Sequence, residues 1–350
     1  MRRRTQKMGG RRPIIYIVII AILALASYIH NNFGAESKAA EGEEKVQSVE
    51  MTERLERSEN SEMAEQPQTE QPQSKPSTTA QAESPAPKAK TAHSGWAELP
   101  AVKSNKELYI ASHSCGDRRN YTVCFSQKQC APLWVAYPMH SSYTGNTKRT
   151  DNYDYDPKMP VNIQPRLSRS YGEYTRGHLL GSAERNVSRE MNNQTFYVTN
   201  IAPQQRDGFN QSGGAWNNLE SFVDRQVCSD TLYVVTGCIY EEYTATDGSK
   251  IKPKTTTNKN DNRKIGVPTA YYKALLRTKS GKTGKSVMEC KPSELKCAAF
   301  IVPHRSAQGH KPTAKDMISI KELEQLTGID LFANLRNAPE QSAEAKDWGL

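Results

Sequence analysis

From residue 35 to residue 95 the chain contains no Phe, Tyr or Trp; Trp96 is the first such side chain after Phe33. Glu, Gln, Ser, Ala, Pro, Lys and Thr dominate the interval, with twelve acidic against seven basic side chains. That leaves too little apolar surface to offset the entropy lost when a chain is ordered. Everything able to bury a core therefore lies after it. Residues 96–350, roughly 250 in number, suit one domain rather than two. The 30–95 stretch reads as a disordered tether, in which Glu53 to Glu65 could form a transient charged helix and the proline-rich part after Gln66 is extended.

Ahead of the tether, residues 1–12 form a basic segment carrying Arg2, Arg3, Arg4, Lys7, Arg11 and Arg12. Residues 13–29, PIIYIVIIAILALASYI, are uncharged and almost wholly apolar. An apolar run of this length is near the lower limit for a spanning helix, and the basic flank predicts an inside N-terminus with the remainder exported. The reading is a transmembrane signal anchor. A cleaved signal peptide is the alternative, since Ala24-Leu25-Ala26 has small-x-small spacing. The lack of a lipobox cysteine after the run argues against a lipoprotein. The folded domain is thus expected outside the cytoplasm, periplasmic or at the cell surface, and secreted if the segment is cleaved.

All seven cysteines fall after residue 95, at 115, 124, 130, 228, 238, 290 and 297. Behind an export signal they predict an oxidising compartment and at least two disulfides, with Cys124/Cys130 and Cys290/Cys297 as plausible local pairs. With no Cys-x-x-Cys and no histidine at finger spacing, zinc is disfavoured. The chain carries a formal net charge of +9. The acidic tether leaves the folded part basic, which suits a polyanionic partner.

Strands are expected at 108–111, 121–125, 132–137, 195–198, 231–236, 270–276 and 297–302, where apolar and β-branched residues alternate or run together. Gln127-Lys128-Gln129 is the turn between the second and third. Two helices are expected. Trp216, Leu219, Phe222, Val223 and Val227 recur at helical spacing with Glu220 on the adjoining face. Ile320, Leu323 and Leu326 do the same before Gly328. The fold class is α+β, a central mostly antiparallel sheet with flanking helices.

The chemistry concentrates in Tyr174-Thr175-Arg176-Gly177-His178. A glycine expected to turn the backbone there holds a cation and a titratable imidazole near one spot. Asn200-Ile201-Ala202-Pro203, Phe209-Asn210-Gln211 and Ala215-Trp216-Asn217-Asn218-Leu219-Glu220 follow. Taken singly, Asn210 is an ordinary turn residue and Glu220 an ordinary helix residue; the ordered set carries the signal. Phosphodiester cleavage needs a base for water and a cation for the charge on phosphorus. A neutral histidine and one hydrated Mg²⁺ supply these, so His178 reads as general base, Asn210 as sole protein ligand, and Glu220 as holder of a metal water. Arg176 would bind the scissile phosphate bidentately.

This set resembles the DNA/RNA non-specific endonuclease family, the endonuclease G-like nucleases with a ββα-metal finger. Their pattern runs Asp-Arg-Gly-His, Ser/Thr-Asn-Ile-x-Pro-Gln and Asn-x-Gly-x-Trp-x-x-Leu-Glu. The corresponding residues here are Thr175 to His178, Thr199 to Gln204, and Asn210 to Glu220. Thr236 to Glu241, Val267 to Lys273 and Ala298 to Phe300 resemble the family's later strands, so roughly Tyr109 to Leu335 is covered. The resemblance implies the same catalytic roles and adds Arg149, before Asn152-Tyr153-Asp154-Tyr155-Asp156-Pro157, as a second phosphate contact. It also implies Asn200 as a brace of the finger or of a metal water, Mg²⁺ with Mn²⁺ as a substitute, and DNA and RNA as substrates; a homodimer is a further expectation, though residue order does not fix the oligomeric state.

The chain departs from that pattern in three ways. Thr175 stands where the family has an acid. Ser212-Gly213-Gly214 adds residues between Asn210 and the tryptophan. The family's arginine four residues past its glutamate meets Asp224, with Arg225 one step on as a substrate-binding candidate. The alternative function is a catalytically weakened nuclease fold that binds nucleic acid at the cell envelope.

Overall fold

The computed structural model of this chain describes residues 93–350 apart from 104, 168–170 and 337. The basic segment, the apolar run 13–29 and the tether up to residue 92 lie outside the described residues. Among those described, no helix is long and apolar enough to cross a membrane.

In chain order the strands are β1 (Leu108–Cys115), β2 (Arg118–Ser126), β3 (Ala131–Met139), β4 (Thr175–His178), β5 (Ile201–Gln204), β6 (Leu232–Ile239), β7 (Tyr243–Thr244), β8 (Lys250–Ile251), β9 (Lys254–Thr257), β10 (Lys264–Val267), β11 (Ala270–Thr278), β12 (Leu295–Pro303) and β13 (Met317–Ile318). The main sheet has the order β1-β2-β3-β6-β11-β12-β13, with every neighbouring pair antiparallel. Its central strands read as nearly continuous apolar runs because both faces are covered. Successive side chains point to opposite faces. Val135, Tyr137, Val234, Tyr271, Leu275 and Phe300 therefore join one core with Trp216, Leu219 and Phe222. Their alternates Trp134, Ala136, Val235, Tyr272, Leu276 and Ile301 join a second core with Leu99, Leu323 and Phe332.

The two expected helices form at Ala215–Asp224 and Ile320–Thr327. The first buries Trp216, Leu219, Phe222 and Val223 on the sheet. A Ser319/Glu322 capping box starts the second and Gly328, at φ 70°, closes it, a conformation that costs glycine little.

The strand expected at 195–198 is absent. The Arg189–Gln194 helix, capped by the Ser188 side chain, leads into a turn in which the Thr195, Phe196 and Tyr197 amides donate to the Asn192, Asn193 and Gln194 carbonyls. Val198–Asn200 then forms a short 3₁₀ turn. These local bonds take the 195–197 amides, and all that remains of strand pairing is a single bridge in which the Phe196 carbonyl and Val198 amide meet Asp154.

The expected disulfides are also absent, and all seven cysteines are free. Cys124 lies in the second core and Cys130 in the first, on opposite faces of the sheet. Cys290 Sγ points to the Ser286 carbonyl and Cys297 Sγ to the Pro339 carbonyl, at 3.4 and 3.2 Å. Spacing brought each pair close in sequence while strand alternation and separate partners kept them apart. Thiol titration of denatured, unreduced protein is expected to count all seven; a count of five or fewer would show that bridges form.

Candidate active site

The motif strand β4 pairs antiparallel with β5, setting Thr175 opposite Gln204, Arg176 opposite Pro203, Gly177 opposite Ala202 and His178 opposite Ile201. With the helix Ala215–Asp224 this hairpin forms a ββα unit on the first face of the sheet. Gly177 is not at a turn, contrary to the sequence reading. It lies within β4, where a Cβ would overlap the carboxamide of Gln204. Room for that side chain, rather than backbone freedom, is what the glycine supplies.

His178 stands edge-on to Phe196, with ring centroids 4.9 Å apart, and to Tyr153 at 5.9 Å. Its Nε2 is buried without a hydrogen-bond partner. Burial first, then the Arg149 and Arg176 charges, push its pKa down to about 3. The Arg176 carbonyl acts in the opposite sense, as it would on accepting from a ring N–H. A neutral imidazole with an unused acceptor nitrogen is the protonation state a general base requires.

Both arginines are held by aromatic rings. The Arg176 guanidinium lies 3.6 Å from the Tyr153 ring centroid, and that of Arg149 lies 4.8 Å from the Phe196 centroid. Arg149 also donates to Asp151 (2.7 Å), Ser182 (2.9 Å) and the Tyr153 hydroxyl (3.3 Å). Tyr153 and Phe196 thus bracket the base and both cations. Tyr153 was signalled by its place after Arg149. Phe196 and Ser182 had no signal in the sequence, because local turns rather than periodicity bring them in.

Asn200 is tied to backbone by three hydrogen bonds. Its Oδ1 accepts from the Leu180 amide (2.9 Å), and Nδ2 donates to the carbonyls of Leu180 (2.9 Å) and Thr195 (2.7 Å). It ties the exit of β4 to the Phe196 turn, with both amide hydrogens used and one acceptor site of Oδ1 left. Beside it, buried Asp156 accepts from Thr199 and pairs with His113 at 2.7 and 2.9 Å. Burial would raise the Asp156 pKa, but these bonds hold it below the usual range.

Asn210 ends a kinked turn, Arg206–Asn210, in which Gly208 adopts φ 70°. Its amide donates to the Gln205 carbonyl (3.1 Å), and its Nδ2 donates to Gln204 Oε1, leaving Oδ1 as the free donor atom of a half-buried carboxamide. The added residues Ser212-Gly213-Gly214 do not loosen this region. Gly213 N–H donates to Asn217, Gly309 N–H donates to the Gly213 carbonyl, and a Cβ at Gly214 would collide with the Phe209 backbone.

Glu220 is half-buried, and burial pushes its pKa up to about 7. Lys273 opposes that rise, while Glu184 and Asp224 reinforce it. Strand alternation places Lys273 on the finger's face of β11, fully buried, its Nζ donating to Tyr137 (3.0 Å) and Thr236 (3.1 Å) and lying 5.2 Å from the Trp216 ring. This lysine entered the sequence reading only as part of a strand. Arg225 caps the helix, exposed, five residues past Glu220 and so about 140° round the axis. Nothing in its placement brings it to the other candidates.

Thr175 Oγ1 donates to the Gln204 carbonyl at 2.9 Å, so the residue replacing the family's acid is spent on the neighbouring strand. Outside it, Thr175, Tyr174, Arg206, Asp207 and Lys254 line a polar cleft of about 550 Å³.

Among the described residues no three His, Cys, Asp or Glu side chains are grouped as a metal site. The oxygen donors on the finger are the Asn210 amide oxygen and, on its helix, the Glu220 carboxyl, which also feels the Lys273 charge. Such a set fits a hard cation that keeps most of its waters.

A ββα finger on an antiparallel α+β core, carrying a neutral histidine between two arginines, defines a hydrolase of the nuclease class. The DNA/RNA non-specific endonuclease family model matches residues 107–338, and the chain belongs to that family. A Nostoc nuclease is 29% identical over 233 residues, 65% of this chain and 77% of that protein. Human mitochondrial endonuclease G is 24% identical over 222 residues, 62% of this chain and 69% of that protein. A chain from the crystal structure of the EndoG/EndoGI complex aligns with a TM-score of 0.50 at 22% identity, covering 66% of this chain and 89% of that one, a likeness of fold.

Proposed function

We propose that this nuclease is a membrane-anchored, exported endonuclease that hydrolyses phosphodiester bonds in DNA and RNA with little sequence preference. The observation that carries the catalytic part is the buried, unpartnered Nε2 of a His178 held neutral between Arg149 and Arg176. His178 takes the proton from the attacking water. Arg176, its plane fixed on Tyr153, and Arg149, fixed by Asp151 and Ser182, hold the phosphate by charge-assisted hydrogen bonds. Contacts of that kind read no bases, which accounts for indifference to sequence and sugar. Asn210 Oδ1 would hold one Mg²⁺, replaceable by Mn²⁺, and Glu220 would steady its hydration water. Bound there, the ion supplies charge for the pentacovalent phosphorus and the leaving 3′ oxygen. Asn200 positions β4 from behind.

Plasmid nicking and RNA cleavage, each with Mg²⁺ and with a chelator, test this reading. Cleavage is expected only with the ion. Nucleic-acid binding without cleavage would instead favour a catalytically weakened binding protein, a reading to which the loss of the motif acid at Thr175 lends weight. Protease added to spheroplasts should clip the tether, whereas full protection would reverse the topology. Sedimentation would test the homodimer.

Asn210→Ala is expected to raise the Mg²⁺ concentration for half-maximal rate by roughly 10–100-fold, with activity partly recovered at high Mg²⁺. An unchanged metal titration would remove Asn210 from the ligand role.

A further inference from the structure

The chain spends several groups on Pro203 to Gln205, where β5 ends, none of which touches nucleic acid in the mechanism above. The Tyr271 hydroxyl donates to the Pro203 carbonyl at 2.6 Å, and Thr175 Oγ1 donates to the Gln204 carbonyl at 2.9 Å. The Gln205 amide donates to His304 Nε2 at 2.8 Å, and that ring is oriented by its Nδ1 bond to the Pro268 carbonyl at 2.7 Å. Three successive residues are thus clamped by side chains from three separate parts of the fold. Between the clamps, the Gln204 side chain has no solvent exposure and lies flat across Gly177, where no other residue leaves it space. Its Oε1 accepts from Asn210 Nδ2. A carboxamide can present either end of itself, and only its oxygen can ligate a cation. With Gln204 Oε1 on its nitrogen side the Asn210 carboxamide turns its oxygen outward, while Gln204 Nε2 is buried with no partner of its own.

We propose that Gln204 is a positioning residue, which fixes the Asn210 carboxamide with its oxygen outward and thereby sets the affinity of the metal site. The inference rests on Asn210 being the ligand. Thr175 and Gly177 then act through Gln204. The first motif position, where the family has an acid, holds the Gln204 backbone by a hydroxyl. The motif glycine clears the space in which the Gln204 side chain lies. Because Gln204 only accepts in this contact, a side chain that accepts should replace it, and one that does neither should not.

The test measures Mn²⁺ binding by paramagnetic resonance and Mg²⁺ binding by calorimetry on the full chain, alongside cleavage rates. Gln204→Met is expected to weaken metal binding by about 10–100-fold, the usual cost of losing a partner that orients a ligand, with rate recovered at high Mg²⁺. Gln204→Glu is expected to bind metal within a few-fold of the parent. Adding Gln204→Met to Asn210→Ala should weaken binding no further, since Gln204 acts through Asn210. Parental metal affinity in Gln204→Met overturns the inference, and so does an additive effect in the double variant. If Asn210→Ala binds metal as the parent does, the ligand assignment itself has failed, a separable result. A measurement on the unsubstituted protein covers the case in which Gln204→Met does not fold. One Asn210 side-chain N–H is expected to exchange slowly with solvent; fast exchange of both would overturn the proposal.

Discussion

Replacing His178 by alanine is expected to lower the cleavage rate by on the order of 10²–10⁴, the usual worth of a positioned base, while leaving nucleic-acid affinity and the Mg²⁺ requirement nearly intact. The reason is local. The phosphate would be gripped by Arg149 and Arg176, each anchored by contacts that do not involve the imidazole, through Asp151, Ser182 and the Tyr153 and Phe196 rings. Losing the ring therefore removes the proton acceptor without releasing the cations. Burial, and after it the two arginines, push the imidazole pKa down to about 3. Protonation of His178 is therefore not expected to set an acid limit on the rate near neutral pH. The decisive measurement is a single-turnover rate with saturating enzyme, paired with a binding isotherm on uncleavable substrate. A variant retaining more than about a tenth of the parental rate, a loss below ~1.4 kcal/mol, would take the base role from this residue.

The second large effect concerns stability. Lys273 has no exposed surface and its ammonium faces a cluster in which Glu184, Glu220 and Asp224 all have raised pKa values, burial being the first cause in each. One oxygen of Glu184 is buried with no partner. Burial alone would depress the lysine, but Tyr137, Glu184 and Glu220 outweigh it and hold the pKa above the ordinary value. Lys273→Met fills similar volume yet removes the cation that opposes the rise at Glu220, while Glu184 keeps Arg185 and Asp224 keeps Arg225. Removing a buried charged donor also strips Tyr137 and Thr236 of their partner, a loss of about 1–3 kcal/mol, and urea unfolding at pH 8 is expected to show a loss of that size.

The pH dependence of that loss has a definite sign. In the variant the folded-state carboxylate pKa values move further above their unfolded values. Their contribution is intact below the unfolded pKa and declines as pH rises through the folded one. The deficit is therefore expected to be smallest near pH 5 and largest above pH 7. A pH-independent loss would mean that Lys273 contributes packing rather than charge.

Much of the architecture was legible in residue order, for identifiable physical reasons. The runs that became β3, β6, β11 and β12 are apolar at both parities, as strands covered on two faces must be. The helix carrying Glu220 showed in the spacing of Trp216, Leu219, Phe222 and Val223. The spacing of Ile320, Leu323 and Leu326 before Gly328 marked the other helix and its end, while the Ser319 box at its start emerged only in the structure. The motif residues were identifiable because their types and order match a family whose chemistry requires them. The N-terminal run and tether were read from composition alone, and the described structure does not reach them.

Long-range geometry settled the rest. Whether Cys124 meets Cys130 depends on which face of the sheet each occupies, and strand alternation around a turn separates them. The 195–198 segment has the composition of a strand, but the capped helix before it and the hydrogen bonds of its turn claim its backbone first. Gly177 looks like a turn glycine in one dimension. Only the pairing of β4 with β5 shows that its missing Cβ is where the Gln204 side chain lies. Lys273 reads as one more residue of a strand until three carboxylates from other segments gather around it. Sequence determined which groups the site could use, because side-chain chemistry is local. Which of them are buried, paired or left with an open valence was decided by contacts between residues far apart in the chain, and those set protonation state and orientation.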